Sequence, residues 1–327
     1  MSKFRQNHSR PNKSGGFLFR IVFITVLLIG VLLFGFTQFF NTPDSLQTKS
    51  KSGNYDKNIN NDNASKNEVY IPEANDKFHI DINDRHFLPQ DKSSQTVHHT
   101  YYSLGYNEDT EQANWVSYVL TKASLKVKNV KRERYFNADY SVKTRSAFFR
   151  DYKNSGYTKG HMAPAGDMAF SKQAMKETFL MSNMCPQIRP FNNGVWKELE
   201  ENTRDWAYSK EELFITTGPV YYDKQFEKIG QNRVGVPDAF YKIIIDKSKE
   251  DYEAIAFVIP HQKTDLPLSE FATDINEVET LTGIDFYYRF FEDNTEEEEI
   301  ESSFNIDTWP INQKKYQQRV KVWNKEK

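Results

Sequence analysis

Between residues 97 and 260 the apolar positions fall into short runs whose spacing predicts strands more often than helices. The stretch His98-His99-Thr100-Tyr101-Tyr102-Ser103-Leu104-Gly105-Tyr106 alternates aromatic and polar positions as a half-buried strand does, and Gln112 to Leu120 is apolar enough to cover it as a helix or a second strand. Three later runs, Leu213 to Val220, Tyr241 to Asp246 and Ala254 to Pro260, read as buried strands. From Ser269 to Thr282 the spacing becomes helical and stops at Gly283, a natural C-terminal stop. After Asn192, the apolar faces of Trp196, Leu199, Thr203 and Trp206 recur every three or four residues, which predicts a helix that turns Glu200 and Arg204 onto a neighbouring face at i, i+4. The predicted fold class is α+β, a central, mainly antiparallel sheet flanked by helices.

The N-terminal third follows a different pattern. Residues 1–20 hold Lys3, Arg5, Arg10, Lys13 and Arg20 with no acidic residue, and Ile21 to Phe40 is free of charge. About 20 apolar residues at ~1.5 Å rise span the ~30 Å of a bilayer core, so one N-terminal transmembrane helix is expected, with its basic flank in the cytoplasm and the rest of the chain extracytoplasmic, either periplasmic or extracellular. The alternative is a cleaved signal peptide and a secreted protein. It is less favoured because the run exceeds the ~7–15 residues of an ordinary signal core and Thr37-Gln38-Phe39-Phe40 offers no cleavage site. From Asn41 to Lys66 almost nothing is apolar, so this stretch reads as a solvated tether, followed up to Gln95 by fragments such as Phe87-Leu88-Pro89 that suit an arm lying on the domain. The expected organisation is a basic tail over 1–20, an anchor over 21–40, a linker and arm over 41–95, and one domain over 96–327.

Composition narrows the picture further. The chain as a whole holds 18 Tyr and 25 Phe, aromatic content high enough for a large core, and the formal net charge of −2 argues against a general basic coat for nucleic acid while allowing local cationic patches. One such patch is predicted at Arg132, Arg134, Arg145 and Arg150, interleaved with Phe136, Phe148, Phe149 and Tyr152; it can hold phosphates or stand as a solvated surface of paired charges. Cys185 is the single cysteine, so no intrachain disulfide forms, and its setting suits a small buried residue. The pair His98-His99 is a poor metal site, because neighbours on an extended strand point to opposite faces.

The chemistry is concentrated between Gly156 and Arg204. Three ordered blocks lie there: Thr158-Lys159-Gly160-His161-Met162-Ala163-Pro164, then Ser182-Asn183-Met184-Cys185-Pro186-Gln187, then Phe191-Asn192-Asn193-Gly194-Val195-Trp196-Lys197-Glu198-Leu199-Glu200. A histidine titrates near neutrality and suits a general base. On the residues alone, Asn192 reads as the N-cap of the following helix, and Asn183 as a side chain that ties loop backbone together.

Together these blocks resemble those of the DNA/RNA non-specific endonucleases, the ββα-metal (His-Me finger) family that includes the mitochondrial endonuclease G type and secreted bacterial nucleases. The resemblance runs from about His98 to about Phe286. It implies a ββα-metal finger with His161 on a strand and Asn192 at the helix start. It further implies Mg²⁺-dependent (or Mn²⁺-dependent), sequence-non-specific hydrolysis of DNA and possibly RNA, with His161 as general base, Asn192 as the metal ligand, Glu200 beside the hydrated metal, and Arg204 and Lys159 on phosphate. Where the family writes Asp-Arg before Gly-His, this chain has Thr158-Lys159, which keeps one charge but loses the bidentate guanidinium fork. The partners implied are DNA or RNA and, through the apolar segment, a membrane; a second copy of the chain is a candidate partner. Two rivals are a catalytically weakened nucleic-acid-binding module and a membrane-tethered structural protein.

Overall fold

A computed structural model describes residues 85–247, 252–291 and 294–325. Seven strands form one sheet, in which every neighbouring pair is antiparallel: β1 (Gln95–His98), β2 (Ser103–Asn107), β3 (Gln112–Thr121), β6 (Glu212–Val220), β9 (Ala239–Asp246), β10 (Glu253–Pro260) and β11 (Ala272–Thr273), in that spatial order. Gln112 to Leu120, which the sequence left open between helix and strand, is strand, with the β-branched and aromatic side chains of Val116, Tyr118 and Val119 in the ladder to β6. The two-stranded sheets β4 (Thr158–His161) with β5 (Met184–Gln187), and β7 (Lys228–Ile229) with β8 (Val234–Gly235), lie outside the main sheet.

Strand β9 shows why the central runs look continuously apolar. All eight of its residues are buried. Phe240 and Ile244 belong to the core cluster that holds Trp196, Leu199 and Trp206, whereas Tyr241, Ile243 and Ile245 belong to the one that holds Ile275 and Val278. The period of two therefore sends alternate side chains to opposite faces of the sheet, and both faces are covered. Lys242 falls on the same face as Phe240 and Ile244, under the helix that carries the site; its Nζ is buried without a hydrogen-bond partner and lies 5.2 Å from the Trp196 ring centroid.

Helix α1 (Lys172–Thr178) is capped by the Ser171 hydroxyl, and α2 (Lys197–Lys210) buries Leu199, Thr203 and Trp206 as the spacing predicted. Helix α3 (Ile275–Thr282) begins later than the pattern suggested: Asp274 caps it, Leu268–Phe271 form a separate 3-10 turn, and Gly283 ends it at φ +68. A run of four acidic residues, Glu296 to Glu299, lies on α4 (Asn294–Glu301). Helix α5 (Gln313–Lys321) braces the back of α2 with a buried ion pair between Arg319 and Glu198 and a 2.8 Å pair between Lys315 and Asp205, while Trp206 Nε1 donates to Pro310 O at 2.9 Å. His99 is packed against Tyr102 and bonded to Asp139 at 2.9 Å, while His98 is exposed, so the two rings part as neighbours on extended chain should.

No helix among the described residues is long and apolar enough to cross a membrane, and the anchor predicted over Ile21 to Phe40 lies outside them.

Candidate active site

The hairpin β4–β5 delivers His161 to the site. Its register pairs His161 with Met184 and Gly160 with Cys185, and a Cβ on Gly160 would fall 2.1 Å from Gln187 Oε1, so a side chain there would have to displace the buried Gln187 side chain. Asn183 locks the exit of β4: its amide donates to the carbonyls of Ala163 and Thr178 and accepts from the Ala163 N–H at 2.8 Å, as its structural reading predicted. His161 packs edge-on against Phe179, centroid to centroid 4.9 Å, and Nε2 is buried without a hydrogen-bond partner. Burial pulls the imidazole down to about 3, and the positive charge of Arg132 adds to this, so the ring is neutral across the physiological range. The unperturbed value that the sequence invites, ~6.5, does not hold in this setting.

Asn192 is not an N-cap. The helical run starts earlier, at Arg189–Phe191, and Asn192 has helical φ −58 and ψ −49 inside it. A π-helical turn over Asn192–Trp196 follows, broken at Gly194 (φ −103, ψ −112), and then comes α2. The start of the run is fixed by His261, whose Nε2 accepts the Ile188 N–H at 2.8 Å; Nδ1 must then carry the proton that reaches Pro237 O at 2.9 Å.

Freed from capping, the Asn192 side chain reaches the hairpin. Its Nδ2 donates to Thr158 Oγ1 at 2.9 Å, and the Thr158 hydroxyl in turn donates to Gln187 O at 2.8 Å. Since the single hydroxyl hydrogen of Thr158 is used on Gln187, Oγ1 can only accept from Asn192, and this fixes which way round the amide sits. Asn192 Oδ1 is thereby turned away from Thr158 as an available acceptor. The residue that departs from the family's aspartate is the one that sets this orientation.

Arg204 and Glu200 stand on the neighbouring face of α2, both half-buried as the spacing predicted. The guanidinium is held by a partner that the sequence did not single out: Arg204 Nη1 donates to Asp167 Oδ1 at 2.7 Å, and the other oxygen of Asp167 accepts from Tyr118 OH at 2.8 Å. Asp167 is fully buried, so it fixes the cation and leaves its remaining donors for a ligand. Burial pushes the Glu200 carboxyl up to about 7, against the pull of Arg204 and Lys242. Burial likewise brings Lys242 down to about 8, opposed by Glu200 and Asp167. Lys159 Nζ lies over the Phe136 ring at 5.0 Å and the Tyr152 ring at 5.7 Å, and Arg132 lies over Phe179 at 5.1 Å, beside His161.

Replacing Asp167 by alanine should leave the Arg204 charge largely buried and unpaired. The expected loss is about 3 kcal/mol in a denaturant titration, the lower end for breaking a buried pair because Arg204 retains some solvent contact. Asp167→Asn, which keeps the Tyr118 bond, should recover part of it. A loss under about 1 kcal/mol for Asp167→Ala would show that the pair contributes no more than a surface bridge.

The donor set suits a hard cation. Asn192 Oδ1 and the Glu200 carboxylate offer oxygen, and among the described residues no group of three or more His, Cys, Asp or Glu is placed to hold a metal ion.

The site thus sets a two-stranded hairpin that carries a neutral histidine, fastened by one amide to a helical run that presents a carboxylate and an anchored arginine, beside the sheet of an α+β protein. The model of the DNA/RNA non-specific endonuclease family matches residues 83–292. The chain belongs to that family. It is 34% identical over 202 residues to a mitochondrial nuclease of Saccharomyces cerevisiae, covering 55% of this chain and 61% of that one. It is 31% identical over 205 residues to the human mitochondrial nuclease EXOG, covering 58% of this chain and 56% of that one, and 31% identical over 198 residues to human mitochondrial endonuclease G, covering 57% and 67%. The crystal structure of an EndoG/EndoGI complex superposes with a TM-score of 0.57 at 31% identity, over 63% of this chain and 89% of that one. The chain thus spans less than two thirds of the yeast relative and of human EXOG.

These relatives correct the expected extracytoplasmic placement, both as a membrane-anchored and as a secreted protein: by name they are mitochondrial. A basic, acid-free flank does not by itself specify a bacterial anchor, because import sequences share that charge pattern.

Proposed function

We propose that this chain is a metal-dependent, sequence-non-specific endonuclease that hydrolyses phosphodiester bonds of DNA and RNA and leaves 5′-phosphate and 3′-hydroxyl ends. The observation that carries this reading is the Asn192–Thr158 hydrogen bond, because it joins the strand that ends in His161 to the helical turn that leads into Glu200 and Arg204. The hairpin and this helical run then form a ββα-metal finger.

His161, held neutral by burial, accepts the proton of the attacking water. Asn192 Oδ1, with Glu200 beside it, would hold Mg²⁺ or Mn²⁺. When bound, the cation supplies positive charge for the phosphate and the leaving 3′-oxygen. Arg204, rigid on Asp167, and Lys159 neutralise phosphate oxygens. Non-specificity follows from contacts of this kind, which fix the backbone and read no base edge.

Covalently closed double-stranded DNA, circular single-stranded DNA and a structured RNA should each be cut with Mg²⁺ at many positions, giving fragments that ligase joins without kinase treatment. Binding without any scission of the closed circles would support the weakened binding module. Cuts at one sequence would contradict non-specificity.

The Thr158 hydroxyl gives a sharper test of how the amide is held. Thr158→Val should free the Asn192 amide to rotate and raise the Mg²⁺ concentration needed for half-maximal cleavage by roughly 10–100-fold, the usual effect of losing a partner behind a metal ligand. Thr158→Ser should restore it. An unchanged Mg²⁺ requirement in Thr158→Val would show that the amide is oriented by something else.

A further inference from the structure

The segment 131–153, which runs beside the site, exposes both cations and aromatic rings. Arg132, Arg134, Arg145, Arg150, Lys131 and Lys153 are all exposed, while two of the acids in the segment, Asp139 and Asp151, are buried and bonded to other groups. The segment therefore presents concentrated positive charge on a chain whose formal net charge is −2. Four of the nine exposed large hydrophobic side chains among the described residues also lie in it: Tyr135 is 73% exposed, Tyr140 72%, Phe149 52% and Phe148 36%. Ordinary folding does not favour exposing rings of this size, and rings alternating with arginines are what a flexible polyanion with flat bases requires.

The segment is tied to the reacting centre. Next to Phe136, Asn137 forms an isolated β-bridge with Leu180, just past the C-terminal end of α1. Phe136 turns in against His161, centroids 6.0 Å apart, and its neighbour Tyr135 turns out to solvent. The 3-10 turn Phe149–Tyr152 repeats this arrangement: Tyr152 is buried with Lys159 Nζ above its ring, and Phe149 is exposed. Lys159 thus lies against two rings, each of which has an exposed aromatic nearby in the chain. Arg145 stacks on Tyr140, 5.8 Å from its centroid, which sets a cation beside a third exposed ring.

We infer that Tyr135, Phe149 and Tyr140 form a stacking platform for unpaired bases, which selects single-stranded nucleic acid as the preferred substrate, with Arg134, Arg150 and Arg145 on its phosphates. A duplex hides its base faces in the stack, so it can engage only the cations; a single strand engages both. This rests on the nuclease reading for its link to cleavage, but the binding it predicts needs no cleavage.

The test uses the full chain in EDTA, where cutting is suppressed, with a fluorescein-labelled oligo-dT of about 20 nucleotides and a duplex of equal length, each titrated by anisotropy. Tyr135→Ala and Phe149→Ala should each weaken oligo-dT binding by about 5- to 100-fold, the range for losing one base–ring stack, and change duplex binding less than about 3-fold. Tyr135→Trp should restore oligo-dT binding. Arg134→Glu and Arg150→Glu should weaken both ligands and flatten the dependence of log K on log salt. With Mg²⁺, hydrolysis of a small chromogenic phosphodiester should be unchanged in Tyr135→Ala, since the reacting groups are intact. Equal losses for strand and duplex, or no loss for either, would overturn the platform. Absent cleavage by the wild-type protein with selective strand binding intact would overturn the nuclease reading and leave the platform standing.

Discussion

His161→Ala should reduce turnover on closed-circular DNA by roughly 10²–10⁴-fold, the contribution of a positioned general base, while nucleic-acid affinity in EDTA changes little. Affinity is retained because the cations that hold phosphate, Lys159, Arg204 and the exposed arginines of the 131–153 segment, do not depend on the imidazole. The variant should also fold, since the ring makes no hydrogen bond through Nε2 and alanine there loses the ring contacts with Phe179 and Phe136. The pH dependence adds a second check. In the free protein the imidazole is held down to about 3, so its protonation removes the base only far below neutrality; the acid limb of kcat/KM expected from Glu200, pushed up to about 7, should therefore persist in His161→Ala. A limb at that position, abolished in His161→Ala, would show that the ring is solvated in the working protein. Lost binding with unchanged turnover per bound substrate would make His161 a substrate contact.

The second large effect is expected at Asn192. Asn192→Ala removes the amide oxygen that Thr158 turns away from the hairpin, and Mg²⁺-supported cleavage should fall by at least about 100-fold, comparable to losing one donor that meets developing charge. Stability should change by less than about 1 kcal/mol, because one half-buried side chain hydrogen bond is lost and no cavity opens in the core. Asn192→Asp separates orientation from chemistry: a carboxylate still offers oxygen to a cation but cannot donate to Thr158, so part of the activity should return at raised Mg²⁺. A folded Asn192→Ala with the wild-type Mg²⁺ requirement would remove this residue from the metal site.

Much of the sheet could be read from the sequence because strands buried on both faces leave unbroken apolar runs; β6, β9 and β10 fall where those runs lie. Helix α2 was equally plain, since Trp196, Leu199, Thr203 and Trp206 mark one stripe and thereby place Glu200 and Arg204. The π-helical turn at Asn192 was hidden. An asparagine ahead of an amphipathic stretch looks like a cap, and only the backbone, helical from Arg189 through Asn192, shows that the helical run had already begun. Asp167 was hidden for another reason. Beside Pro164 and Gly166 it resembles a turn residue, and its role depends on Arg204, 37 positions away, and on Tyr118. Thr158 looked like a loss relative to the family pattern, whereas in the fold its hydroxyl sets the amide of Asn192. The exposed rings of residues 135–149 were visible as letters, but only the structure separates Phe136, turned toward His161, from Tyr135, turned to solvent.

The central claim is that the hairpin and helix form a working, cation-dependent phosphodiesterase. It is tested most directly by incubating the purified full-length protein with closed-circular DNA in Mg²⁺, in EDTA, and in EDTA followed by excess Mg²⁺, with His161→Ala beside it. The account predicts nicked and then fragmented DNA with Mg²⁺, none in EDTA, full return when Mg²⁺ is restored, and at most about a hundredth of the rate in the variant. Intact circles in every lane, or cleavage that survives both EDTA and the loss of His161, would contradict it.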